Sequence, residues 1–121
     1  MATFNADLID GVASETISKG QFVKYASGGW DACDTPGEMP DGVAYNDARA
    51  GEGLTVQCGK LCLVKVGSSP ILDGANVTTD SDGLAVTAGP GDYVRGKAYG
   101  AGAAGAYMTM LWFDGFIFDG T

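Results

Sequence analysis

Ile17-Ser-Lys-Gly-Gln-Phe-Val-Lys-Tyr25 and, 54 residues further on, Ile71-Leu-Asp-Gly-Ala-Asn-Val-Thr-Thr79 share the opening Ile-x-x-Gly-x-x-Val. In each, a glycine precedes a short run of β-forming residues, the pattern of a strand entered through a turn. The match continues without a gap, pairing Ile17 to Val56 with Ile71 to Met110, and thirteen of the forty pairs are identical. Among them are Gly20/Gly74, Gly37/Gly91, Gly42/Gly96, Gly51/Gly105, Pro36/Pro90 and Tyr45/Tyr99. A fixed offset sustained over this length is the mark of a duplicated structural unit. Glycine supplies positive φ and proline fixes φ at turn entries, so the shared residues predict that the two units repeat their turns first.

Between the turns lie segments of strand character: Gln21 to Tyr25, Gly29 to Cys33, Gly42 to Asn46, Leu54 to Cys58 and Leu61 to Val66. The second unit offers Ala75 to Thr79, Gly83 to Thr87, Tyr93 to Tyr99 and Ala106 to Phe113. Short strands separated by Gly, Asp-Gly and Pro-Gly signals predict an all-β protein, a compact β-barrel or sandwich with little or no helix. No window keeps apolar residues at helical spacing free of Gly or Pro, and Asn46 to Gly51 supplies one turn at most. At 121 residues the chain is expected to form a single domain, 1–121. Its parts are an N-terminal arm (1–14), unit one (17–56), a linking strand (59–69), unit two (71–110) and an aromatic tail (112–121). The linking strand is expected to continue the sheet begun by Leu54 to Cys58.

Fifteen carboxylates against seven basic residues give a net charge of −8. Such a chain does not suit nucleic acid or an anionic membrane, which need clustered Lys and Arg. The first ten residues lack the basic-then-apolar order of a signal peptide, and no apolar run reaches membrane-helix length. Histidine is absent, which removes the Ser-His-Asp and Cys-His schemes and the commonest general base.

The remaining chemical motifs favour structure over catalysis. Cys58 and Cys62, on one face of a single strand, would stand roughly 13 Å apart, too far for a disulfide or a shared zinc. They and Cys33 are expected to be inert thiols. Gly100-Ala-Gly-Ala-Ala-Gly105 has the letters of a dinucleotide loop, but a strand and not a helix should follow it. Thr79-Asp-Ser-Asp-Gly83 resembles the start of a calcium loop and lacks the later ligands, so a two-residue hairpin connection at Asp82-Gly83 is expected. Asp31, Asp34, Glu38 and Asp41 surround Thr35-Pro-Gly37 and should form a solvated loop. No catalytic residue, cofactor site, metal site or small-molecule substrate is therefore expected.

The ends of the chain are the candidate interface: Phe4, Leu8 and Ile9 in the arm, and Trp112, Phe113, Phe116, Ile117 and Phe118 in the tail. Aromatic clusters of this kind pack on their own sheet or anchor a protein contact. Both readings stand for the tail.

Taken together, Ile17 to Tyr25, Gly42-Val-Ala-Tyr-Asn-Asp-Ala-Arg-Ala-Gly-Glu-Gly-Leu-Thr-Val56, Gly74 to Val86 and Val94-Arg-Gly-Lys-Ala-Tyr99 resemble the decoration, or cement, proteins of phage capsids. The resemblance covers about residues 10 to 112 and rests on turn motifs; Phe113 to Thr121 has no clear counterpart in that family. It implies a structural protein, made in the host cytoplasm and carried on the outer surface of the virion. There it would bind the major capsid protein of the expanded shell, commonly as a homotrimer, and clamp neighbouring subunits. Two alternatives remain open: a small β-clip module for an acidic metabolite, or another virion part such as a tail or spike module.

Overall fold

Glycine and Asp-Gly punctuation limits every run of β-formers to a few residues, and the chain accordingly folds as many short strands. Residues 8–120 are described by the computed structural model. Among them the strands are β1 (Leu8–Val12), β2 (Phe22–Ala26), β3 (Gly29–Ala32), β4 (Gly42–Ala44), β5 (Gly53–Gln57), β6 (Leu61–Lys65), β7 (Asn76–Thr79), β8 (Ala85–Thr87), β9 (Tyr93–Ala98) and β10 (Tyr107–Ile117), with no helix. They form two five-stranded antiparallel sheets, ordered β1-β5-β4-β2-β3 and β6-β10-β9-β7-β8. The second order is the first with every label raised by five. Individual backbone bonds recur at the same offset: Ile17 and Ala48 exchange both of theirs, as do Ile71 and Gly102, and Tyr45 N donates to Thr55 O as Tyr99 N does to Thr109 O.

Both sheets curl until their outer strands nearly meet. One parallel bridge joins Ala13 to Trp30 in sheet one and another joins Val66 to Ala85 in sheet two, so neither closes as a continuous ladder. Inside sheet one lie Ile17, Val23, Trp30, Ala44, Leu54 and Val56. Alternation then turns Phe22, Cys33 and Val43 to the opposite face, where they join Cys62 and Val64 of β6 and Ile71, Val77, Met108 and Met110 of unit two in a second cluster. Phe22 is the largest fully buried side chain among the described residues. One face of sheet one thus serves as a wall of the core of sheet two.

Sequence-distant backbone groups seal this seam. Phe22 N donates to Gly83 O at 2.7 Å, and Lys65 N donates to Gly20 O at 2.9 Å. Gln57 reaches across with its side chain, Oε1 accepting from Leu63 N at 2.9 Å and Nε2 donating to Leu63 O at 3.3 Å. The loop after β3 enters between β7 and β9, where Gly37 N donates to Thr79 O and Gly37 O accepts from Tyr93 N.

Four expectations change. Leu61 to Val66 does not extend the sheet of Leu54 to Cys58: the chain turns at residues 58–60 and β6 opens the other sheet. Cys58 and Cys62 therefore do not share one strand. Leu8 to Val12 is no arm but a strand paired with β5 from Leu8↔Gln57 to Val12↔Gly53. Finally, the connection after β7 spans residues 80–84, because Asp80 Oδ1 accepts from the backbone N–H of both Asp82 and Leu84 and holds a wider turn.

Candidate interface

Leu8 and Ile9 stand exposed on β1. Leu8 pairs with Gln57, the residue whose amide spans the seam to Leu63. On the other sheet, Trp112 N donates to Lys60 O at 2.8 Å and Leu111 pairs with Leu61. The turn at 58–60 is therefore the common neighbour of the two chain ends, with Leu8 on one side of it and Trp112 on the other. Phe4 lies outside the described residues.

The tail is built into the fold and not appended to it. Trp112 pairs with Gly96 and Phe116 with Val94, so β10 carries two more residues than β9 between these points and bulges there. Beyond the bulge Phe118 N donates to Asp92 O and Phe118 O accepts from Gly91 N. The bulge swings Phe113 and Phe116 into a stacked pair, centroids 5.7 Å apart and planes 12° from parallel. Trp112 packs against the second core cluster, with the Arg95 guanidinium 4.8 Å above its ring. Arg95 also donates through Nη1 to Pro40 O at 3.1 Å. Phe113 and Phe118 are half-buried, while Phe116 and Ile117 remain 43% and 56% exposed. The tail thus packs on its own sheet, the first of its two readings, and leaves two large apolar side chains exposed.

Sequence reasoning passed over other exposed residues close by. Leu61 is 53% exposed and Tyr107 46%. The signal was present in Leu61-Cys-Leu-Val-Lys65, where apolar residues occupy both parities, although only Cys62 and Val64 are needed for the core.

The chemical motifs serve the backbone. Cys33 and Cys62 are buried and Cys58 half-buried. The Cys33 thiol lies against Glu38, with Sγ 3.5 Å from Oε1, and is pushed up from 9.0 to about 12, chiefly by burial and then by the carboxylate. Glu38 also takes the ion pair from Lys24 at 3.0 Å, and that hydrogen bond raises the lysine's affinity for its proton. In the remainder of the acidic loop region Asp41 accepts from Tyr25 N and Asp31 from the Ser14 hydroxyl. Gly100 to Gly105 leads into β10, a strand, with Gly105 N donating to Gly67 O. A cleft of about 300 Å³ on unit one is lined by Thr16, Ile17, Ser18, Asp47, Ala48, Arg49 and Glu52. Its carboxylates cap the local backbone, Asp47 at Lys19 N and Glu52 at Arg49 N.

No protein-family model matches the chain. No curated protein matches it either. Among solved structures it is similar to the N base of the head fiber protein gp8.5 of bacteriophage phi29, with a TM-score of 0.72 and 24% identity, over 87% of this chain and 92% of that one. At that identity the likeness shows a shared fold, matched over nearly the whole length of both chains.

Proposed function

We propose that this chain is a non-enzymatic structural protein of a phage virion. In this reading it belongs with the capsid decoration proteins, sits on the outer surface of the expanded head and clamps neighbouring subunits of the major capsid protein. The observation that carries the reading is the likeness to a phage head-fiber base over almost all of both chains. Exposed Leu8, Ile9, Phe116 and Ile117 add apolar anchors of the kind protein contacts use. Three linked copies would turn weak single contacts into firm attachment by avidity. Clamping works through buried surface, since a contact of about 1,600 Å² is enough for specific association.

The test is direct. Purified protein added to expanded shells that lack it is expected to co-sediment with them, to appear as regular surface density in particle images, and to raise the temperature at which the shells break. Shells that neither bind it nor gain heat resistance refute the proposal. The same likeness favours a second reading, in which the chain is the seat of a longer head appendage. Images of particles carrying a labelled copy separate the two, because a clamp lies flat between subunits and a seat marks the root of a projecting fibre.

A further inference from the structure

Charge is unevenly distributed over this acidic molecule. On β6, β10 and β9, buried residues such as Cys62, Val64, Met108, Met110 and Ala98 alternate with residues on the outer face. Along that face the register sets Tyr107 beside Lys65, Thr109 beside Leu63, and Leu111 between Leu61 and Lys97. A strip of Tyr107, Thr109 and Leu111 therefore runs down β10 with a lysine on either flank. Lys19 from unit one adds a third cation: its ammonium stands 5.5 Å from the Tyr107 ring centroid, and that of Lys65 stands 5.6 Å from it. Lys60 immediately precedes Leu61 and is exposed.

Three of the seven basic residues of a chain with net charge −8 thus border one strip, and a fourth, Lys60, stands in the turn that precedes Leu61. The strands β6 to β9, and β10 from Tyr107 to Phe113, carry no carboxylate. The ion pair found among the described residues is Lys24 to Glu38, elsewhere in the molecule, so these four lysines keep their charge available.

We propose that this face of sheet two is the surface that meets the shell, and that the shell protein presents carboxylates there, around an apolar patch that receives Leu61 and Tyr107. The inference rests on the virion reading above and gives it an orientation. An acidic body approaching an acidic surface is repelled on every side except the one where its cations gather, so the lysines orient the encounter while the aromatic and leucine side chains supply the hold. Double-stranded DNA would also be drawn to lysines, but the remaining carboxylates oppose its long, uniform charge, whereas a protein patch need match only this face.

The experiment measures binding to expanded, undecorated shells at rising salt, using the wild type, Lys65→Glu with Lys97→Glu, Leu61→Ser, and Arg49→Glu as a reversal elsewhere on the surface. Circular dichroism and thermal midpoints establish that each variant is folded. The wild type is expected to weaken as salt rises, the double reversal to lose about tenfold or more in affinity, and Leu61→Ser to bind more weakly without a change in salt slope. Arg49→Glu is expected to bind as the wild type does. Folded double-reversal protein that binds with wild-type affinity and salt slope overturns this inference and leaves the virion reading standing. Release of bound protein by competing duplex DNA also overturns it. A wild type that does not bind shells at all removes the virion reading and this inference with it.

Discussion

Five glycine pairs recur at the 54-residue offset, and four of them are needed for two different physical reasons. Gly20/Gly74, Gly37/Gly91 and Gly51/Gly105 all hold positive φ between 75° and 90°, where an L side chain is strained. Gly42 and Gly96 do not. They sit inside β4 and β9, where an added Cβ on Gly42 would meet the Val56 side chain, and one on Gly96 would meet Leu111 O and lie 2.8 Å from Met110 Sδ. Gly51→Ala, in open space, is expected to cost about 1 kcal/mol through φ alone, and Gly96→Ala about 1–3 kcal/mol with a displaced β10. Urea denaturation compares them; equal losses would deny the close-approach role. The sequence reading credited the shared glycines to turns in general, although Gly42 and Gly96 fell within its strand segments, because a glycine that admits a neighbour looks the same as one that reverses the chain. Cys33 offers a second residue-level test. Unfolded chain releases the thiol proton near 9, and folded chain holds it to about 12. Its contribution is therefore intact below pH 9 and is lost between 9 and 12, at up to about 1.4 kcal/mol per pH unit. The thermal midpoint is expected to fall across that window, and Cys33→Ala to make the fall shallower; an unchanged slope would assign the alkaline loss to other groups.

At the level of single elements, the two strands that sequence reasoning missed or cut short are those defined by partners far along the chain. Leu8-Ile-Asp-Gly-Val12 carries a turn-like Asp-Gly, and only its pairing with β5 makes it a strand. Asp114-Gly115 gives the same local signal inside β10, yet the ladder with β9 resumes beyond it. Local signals located the strand centres correctly because alternation is a property of neighbours in sequence. Ladder partners, and the passage from one sheet to the other at residues 58–60, are properties of neighbours in space. The two pairing bonds of Phe118 lead to an expected outcome in hydrogen exchange: its amide and that of Gly91 exchange slowly, as ladder amides do, while amides of the exposed 103–104 turn exchange fast. Equally fast exchange at Phe118 would mean that the tail frays from the sheet in solution.

Over the whole molecule, the apolar residues at the ends of the chain drew the sequence reading toward the termini, and two of the tail residues, Phe116 and Ile117, do remain exposed. The lysine-bordered face was not legible in the same way. Lys19, Lys60, Lys65 and Lys97 are scattered among excess carboxylates in sequence; the strand register brings Lys65 and Lys97 to either side of β10, and Lys19 joins them over the Tyr107 ring. The particle-binding measurements are thus tests of the molecule as a whole, since no single segment contains the surface. The seam between the sheets has a further consequence, in time. Phe22 leaves the ribosome early, but the strands that cover it, from β6 to β10, follow over the next ninety or so residues, and at about 5–20 residues per second its apolar face waits roughly several seconds for its cover. For that interval a nascent copy presents an uncovered Phe22 and Val43, an apolar surface that neighbouring nascent copies share and on which they can associate before the second sheet closes over it.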